Sequence, residues 1–191
     1  RHQNQRKKRY GKIDRRGTIP HRLSIEDCPA IVETRSRIGD WEADTVIGKN
    51  HKQVIVSIVE RKTRFTLIHK VERKTAQAVS QAMIALLKPY RKKVHTITSD
   101  NGREFAGHEE IAKRLKADFY FAHPYSSWER GTNENTNGLI RQPFPKNRDF
   151  TTITQQEIDM AMFRLNNRPR KRLEYKTPSQ VFFKSGVALQ T

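Results

Sequence analysis

The residue pattern points to an α/β fold: a mixed five-stranded sheet, built as an antiparallel meander plus parallel strands, with helices on its faces. Three observations lead there. Residues 41–71 hold three β-rich runs separated by short polar turns. From residue 74 onward, helical and strand periods alternate. Parallel strands need a crossover of a dozen or so residues between them, so alternation of this kind describes a sheet covered by helices.

The elements follow in order. Residues 41–47 and 53–60 read as strands, the second carrying Val54, Ile55, Val56, Ile58 and Val59, and Gly48-Lys49-Asn50 supplies the turn between them. Residues 65–71 make the third run. Over 74–88, Ala76, Val79, Met83, Leu86 and Leu87 recur three or four apart, the spacing of a helix with one buried stripe, and Pro89 ends it for want of an N–H. Val94–Thr98 is a short apolar strand between Arg91-Lys92-Lys93 and Asp100-Asn101-Gly102. Residues 108–116 are helical, 118–121 a strand, and 123–131 a loop with Pro124 and Gly131. Thr132 is an acceptable N-cap for a helix reaching Gln142, where Pro143 stops it. A last amphipathic helix covers 154–166, and residues 23–37, with Leu23, Ile25, Ile31 and Val32, form a packed lead-in. The expected organisation is a basic arm, 1–22, followed by one domain, 23–191, that ends in a helical extension.

Charge narrows the partner. The 191 residues carry 38 Lys+Arg against 20 Asp+Glu, a formal net charge of +18. Nine Lys/Arg and one Asp in the first 22 residues contribute +8, which leaves +10 for the rest, so arm and body are both basic. A field of that sign favours phosphate backbones or anionic lipid. No apolar run approaches the roughly 20 residues that span a bilayer, and no secretory signal opens the chain, so the expected partner is nucleic acid rather than membrane or a small molecule. The single cysteine, Cys28, leaves no internal disulfide and suits a reducing cytoplasm. Because the chain opens on Arg1 rather than Met, it is expected to be a piece of something longer.

Three acids stand out against this cationic background: Asp44, Asp100 and Glu134. Phosphoryl transfer by two divalent ions needs carboxylates gathered around metals about 3.5–4 Å apart, and oxygen-only ligation suits Mg²⁺. In the expected fold Asp44 lies on a central strand, Asp100 just past the tip of its parallel neighbour, and Glu134 in the first turn of a helix at that sheet edge. Each has a plainer reading. Asp40, Glu42 and Asp44 alternate and would share one solvated strand face. Asp100-Asn101-Gly102 alone is an ordinary turn, and Glu134 alone is an acid complementing a helix dipole. Yet Asn133, Asn135 and Asn137 around Glu134 are poor helix formers, odd choices for a helix valued only for stability. Helical spacing puts Asn137, Gly138 and Arg141 on the face of Glu134, where Arg141 is placed to hold a phosphate. Glu104 is expected to lie past the strand tip. His108-Glu109-Glu110-Ile111-Ala112 begins like a zinc-protease helix but has Ala112 where the second ligand belongs, and His123 reads as a satisfied loop histidine. Trp128 is either a base-stacking residue or a partly buried anchor.

Several motifs occur together and in order: Trp41-Glu42-Ala43-Asp44-Thr45, Ser99-Asp100-Asn101-Gly102 with Glu104-Phe105, His123-Pro124-Tyr125, and Arg130-Gly131-Thr132-Asn133-Glu134-Asn135-Thr136-Asn137-Gly138-Leu139-Ile140-Arg141 with Phe144-Pro145-Lys146. With Leu165-Asn166-Asn167-Arg168-Pro169-Arg170-Lys171, they resemble the DDE transposase and retroviral-integrase superfamily over residues 15–183. The 33 residues between Asp100 and Glu134 match bacterial transposases of the insertion-sequence-thirty family. The resemblance implies a ribonuclease-H-like catalytic domain and two Mg²⁺ or Mn²⁺ ions on Asp44, Asp100 and Glu134. It implies cut-and-join chemistry on transposon ends and target DNA by a homo-oligomer, in a bacterial cytoplasm on the nucleoid. Arg130, Asn137, Arg141, Lys146 and Trp128 are then the expected DNA contacts. Two departures stand beside it. Pro143 replaces an aromatic residue, which predicts a shorter helix after Glu134, and the helix-turn-helix usual upstream in that family is not within these residues. The competing readings are a structure-selective nuclease of the same fold and a non-catalytic DNA-binding remnant.

Overall fold

The computed structural model describes residues 19–49, 53–123 and 131–184. Most of the basic arm, the residues 50–52 of the first hairpin turn, and the loop 124–130 with Trp128 and Arg130 lie outside the described residues.

The elements in chain order are β1 (Leu23–Ser24), α1 (Ile31–Thr34), β2 (Asp40–Ile47), β3 (Val54–Glu60), β4 (Thr66–Val71), α2 (Ala76–Leu87), β5 (Thr96–Ser99), α3 (His108–Leu115), β6 (Asp118–Phe121), α4 (Gly131–Ile140), α5 (Gln155–Asn167) and α6 (Pro178–Lys184). The sheet has six strands rather than the five expected, in the order β1-β6-β5-β2-β3-β4. The added strand is two residues of the lead-in, Leu23 and Ser24, lying parallel against Tyr120 and Phe121 of β6. Two residues are too few for an alternating pattern to register, and only the neighbouring edge makes them a strand.

The rest of the topology is the expected one. β2, β3 and β4 form the antiparallel meander, with Asp44 opposite Ser57 and Ser57 opposite Ile68. β5 runs parallel to both β2 and β6. Alternation then assigns the faces. Trp41, Ala43, Val54, Val56 and Ile58 point into one core with Val79, Met83 and Leu87 of α2, Phe105 and Phe119. Val46, Ile55 and Ile68 point into a second core with Ile140, Phe144, Phe150, Ile158 and Leu165 beneath α4 and α5. β3 is buried at every position because both faces are covered. Asp40, Glu42 and Asp44 share the second face, as their spacing predicts, but that face is not solvated: Asp40 and Glu42 are buried under partners.

β5 begins at Thr96 rather than Val94, since the Lys88–Lys93 turns continue far enough for Val94 N–H to bond Arg91 C=O. α4 closes at Ile140, three residues before Pro143. Gln142 N–H reaches only to Leu139 C=O at 3.2 Å, so the helix has already tightened into a turn where the proline costs no helical bond. Phe182 of α6 stacks on Phe65 with ring centres 4.3 Å apart. No helix among the described residues is long and apolar enough to cross a membrane.

Candidate active site

Asp44 is held on both oxygens. Its Oδ1 accepts from the Thr45 N–H at 2.8 Å and its Oδ2 from the Asn137 side-chain amide at 2.8 Å. Asn137 Oδ1 in turn accepts from Ser57 Oγ at 3.1 Å, and Ser57 is the cross-strand partner of Asp44. One amide therefore ties α4 to two strands and fixes which way the carboxylate faces.

Asp100 follows the end of β5, the parallel neighbour of β2, and the last paired residues of those two strands are Glu42 and Thr98. Asp100 Oδ1 accepts from Gly102 N–H at 3.0 Å, the bond that shapes the turn. Asn101 anchors the same turn to β6 by donating to Ala122 C=O at 2.6 Å, and it also accepts from Arg22.

Glu134 is exposed, on the first turn of α4. Its helix is fastened to β2 on either side of it. Asn133 N–H donates to Glu42 Oε2 at 2.9 Å, one residue before Glu134, and Asn137 grips Asp44 three residues after. Glu42 is fully buried, with Arg61 Nε 3.1 Å from its other oxygen, a charge contact whose N–H is not aligned for a hydrogen bond. The fold thus brings together the three elements expected to carry the acids. It does not close the three side chains on one point: among the described residues, no three His, Cys, Asp or Glu side chains are near enough to hold an ion as they stand. The donor chemistry nonetheless fits a hard divalent cation, since the three expected ligands are carboxylates, and the Asn137 amide braces one of them.

The remaining expected residues divide. Asn137 is an internal brace of Asp44. Arg141 is half-buried and donates to Ile47 C=O at 2.8 Å, with desolvation lowering its pKa from the usual arginine range. Gly138 shares the exposed flank of Glu134, and an added Cβ there would meet nothing within 4 Å. Lys146 is exposed. His123 contacts Glu26 Oε1 at 3.1 Å, as a satisfied loop histidine does, and His108 is buried on Phe121 with ring centres 5.0 Å apart. A groove of about 910 Å³ between the end of α4 and α5, lined by Phe144, Met160, Phe163 and Arg164, contains none of the three acids.

Glu42, whose strand position suited either a role behind the metal ligands or a solvent-facing one, is buried and acts as an acceptor for the first turn of α4. One feature went unforeseen. Glu104 lies past the tip of β5, as expected, but folds back over the Asp100 turn, 7% exposed, while Phe105 next to it is drawn fully into the core. An apolar residue directly after an acid was the available signal.

Comparison with known proteins accords with this geometry. Residues 35–127 match the family described as integrase core domain. The chain carries an integrase core domain. It is homologous to IS30-type transposases over part of their length. It is 51% identical over 175 residues to the transposase for insertion sequence element IS4351 of Bacteroides fragilis, covering 92% of this chain and 54% of that protein. Against the transposase InsI for insertion sequence element IS30A of Escherichia coli (strain K12), identity is 39% over 188 residues, or 95% of this chain and 48% of that one. The chain therefore spans about half the length of the curated relatives it matches. Among solved structures, the catalytic core domain of BIV integrase aligns with a TM-score of 0.59 at 22% identity, covering 77% of this chain and 95% of that one. A chain of the simian T-cell lymphotropic virus intasome, solved with PP2A regulatory subunit B56 gamma, aligns at 0.63 and 18% identity over 75% and 54% of the two chains. At those identities the likeness shows the fold, which is ribonuclease-H-like.

Proposed function

We propose that this integrase core cleaves DNA strands and joins them to a target, on the ends of an insertion sequence, with Asp44, Asp100 and Glu134 as its catalytic acids. The observation that carries the reading is the 2.8 Å bond from Asn137 to Asp44, which fastens the helix of Glu134 to the strand of Asp44, itself paired with the strand that leads into Asp100. When bound there, two Mg²⁺ or Mn²⁺ ions supply activation of the attacking oxygen and charge stabilisation of the leaving one. Asp44, Asp100 and Glu134 would hold them.

The chain's own residues do the rest. Asn137 fixes the orientation of the Asp44 carboxylate. The Asn133–Glu42 and Asn137–Asp44 bonds hold α4 in place at both ends of the turn that carries Glu134. Glu134, on a longer and exposed side chain, is the member free to swing inward, since three carboxylates with no cation between them repel. The surplus of positive charge over the whole chain concentrates DNA at this surface. One fold neighbour belongs to an intasome, and we take assembly of several copies on DNA, in a bacterial cytoplasm on the nucleoid, as part of the same reading.

Glu134→Gln tests it. The variant is expected to lose Mg²⁺-dependent cleavage and joining of a labelled duplex while retaining the DNA in a filter assay. A variant that cuts at the wild-type rate removes Glu134 from the reaction. Cleavage without joining in the wild-type chain, with water as the sole acceptor, would make it a nuclease instead.

A further inference from the structure

We propose that Thr45, Glu104 and Lys74 form a clasp that sets the separation of Asp44 and Asp100, with Glu104 as a positioning residue for the reaction proposed above, on which this inference rests.

The need for such a device follows from the sheet. The β2–β5 pairing stops at Glu42 and Thr98, two residues short of the two acids. The Asp100 turn must be kept in register over that gap by side chains. On the β6 side, Asn101 does so through Ala122. On the β2 side the bond runs through Glu104: Thr45 Oγ1 donates to its Oε1 at 3.0 Å. Thr45 follows Asp44 and points to the opposite face of the strand. The Asp44 position is therefore gripped from one face by Asn137 and steadied from the other by Glu104.

Glu104 is also pressed against the Asp100 turn. A Cβ built on Gly102 would lie 2.6 Å from Glu104 Oε2 and 2.9 Å from Asp100 Oδ1, so both carboxylates crowd one point above that glycine. Two acids this close, one of them buried, require a counter-charge. Lys74 provides it, with Nζ 2.8 Å from Glu104 Oε1. Lys74 stands just before the Thr75 N-cap of α2, whose hydroxyl accepts from Ala78 N–H at 3.2 Å, so the cation is presented from a fixed helix end. The lysine therefore keeps Glu104 committed to Thr45.

The test uses the full chain without DNA and reads Mn²⁺ affinity by calorimetry, beside the melting temperature in metal-free buffer. Thr45→Val and Lys74→Met are each expected to weaken Mn²⁺ binding about tenfold, as loss of a group supporting a metal ligand does. The double variant should fall well short of the product of the two, because one clasp is broken either way. Thr45→Ser and Lys74→Arg, which keep the hydroxyl and the charge, should restore wild-type affinity. If the Val and Met variants melt lower yet bind Mn²⁺ as the wild type does, the clasp is only structural and the proposal falls. If Lys74→Met binds Mn²⁺ more tightly, Glu104 is itself a ligand, and the proposal falls equally. Asp100→Asn separates the two levels: should it leave Mn²⁺ affinity intact, the metal assignment fails, whereas loss of binding there with silent clasp variants fails the clasp alone.

Discussion

Gly102 shows how little room the candidate site leaves. Its φ of −64° is open to any residue, so nothing in the backbone demands glycine there. The demand is steric. An added Cβ would lie 2.6 Å from the Glu104 carboxyl carbon and 2.9 Å from Asp100 Oδ1. Neither acid can yield cheaply, because Glu104 is tied to Thr45 and Lys74 and Asp100 to the Gly102 N–H. Gly102→Ala is therefore expected to lower stability by about 1–3 kcal/mol, the usual cost of overpacking, and to cut Mn²⁺-dependent DNA nicking in the fraction that remains folded. A thermal melt paired with a nicking assay measures both, and unchanged nicking would mean that Asp100 need not stay where the turn puts it. The three acids stood out in the sequence because several motifs in order around them resemble the DDE superfamily; the local signals alone, an alternating strand, an Asx turn and the start of a helix, favoured plainer readings. Asn137 and Glu104 could not be placed in the same way. Asn137 acquires its task only when α4 lies on β2, and Glu104 only when Phe105 is buried.

The helices and longer strands announced themselves through periodicity, and their ends moved by one or two residues where side chains or turns intervened. α5 is the best-marked. Thr154 accepts from Glu157 N–H at 3.3 Å, and Glu157 accepts from Thr154 N–H at 3.0 Å, a reciprocal capping box. The helix matters to the site because it shares with α4 the core of Ile140, Phe144, Ile158 and Leu165. Thr154→Ala should cost about 1 kcal/mol. The Glu157 carboxylate is held below its ordinary value by the Thr154 N–H first and by Arg148, 2.5 Å away, second. A depressed carboxylate stabilises the fold above its unfolded pKa and loses that contribution as pH falls through the folded value. Wild type should therefore shed more stability on acidification below 4.5, the ordinary value, than Glu157→Gln does. Parallel melts over that range check it, and superimposable acid profiles would show that the box adds nothing. β1 escaped the sequence for the opposite reason: two residues carry no period, and only the exposed edge of β6 recruits them.

Charge works over the whole surface and was the plainest quantity in the composition. It is crowded around the half-buried Arg64. Arg64 is pushed down to about 10, first by burial and then by the neighbouring Arg35 and Arg172, with Glu42 offsetting part of the repulsion. A fold that tolerates such crowding gains from releasing it onto a polyanion, because each phosphate neutralised sheds condensed counterions. Residues 1–18 hold eight Lys/Arg and one Asp, so their removal leaves +11 of the +18. Ile19, 4% exposed and part of the core, should be kept so that the domain is undisturbed. If arm and body both meet DNA, the slope of log affinity against log salt becomes shallower on truncation but stays clearly negative, by about 0.9 for each phosphate contact the body retains. A nearly flat slope in the truncated chain would confine DNA binding to the arm. The body's own acids would then have no substrate held over them, and the reading of Asp44, Asp100 and Glu134 as a DNA-cutting site would fail with it.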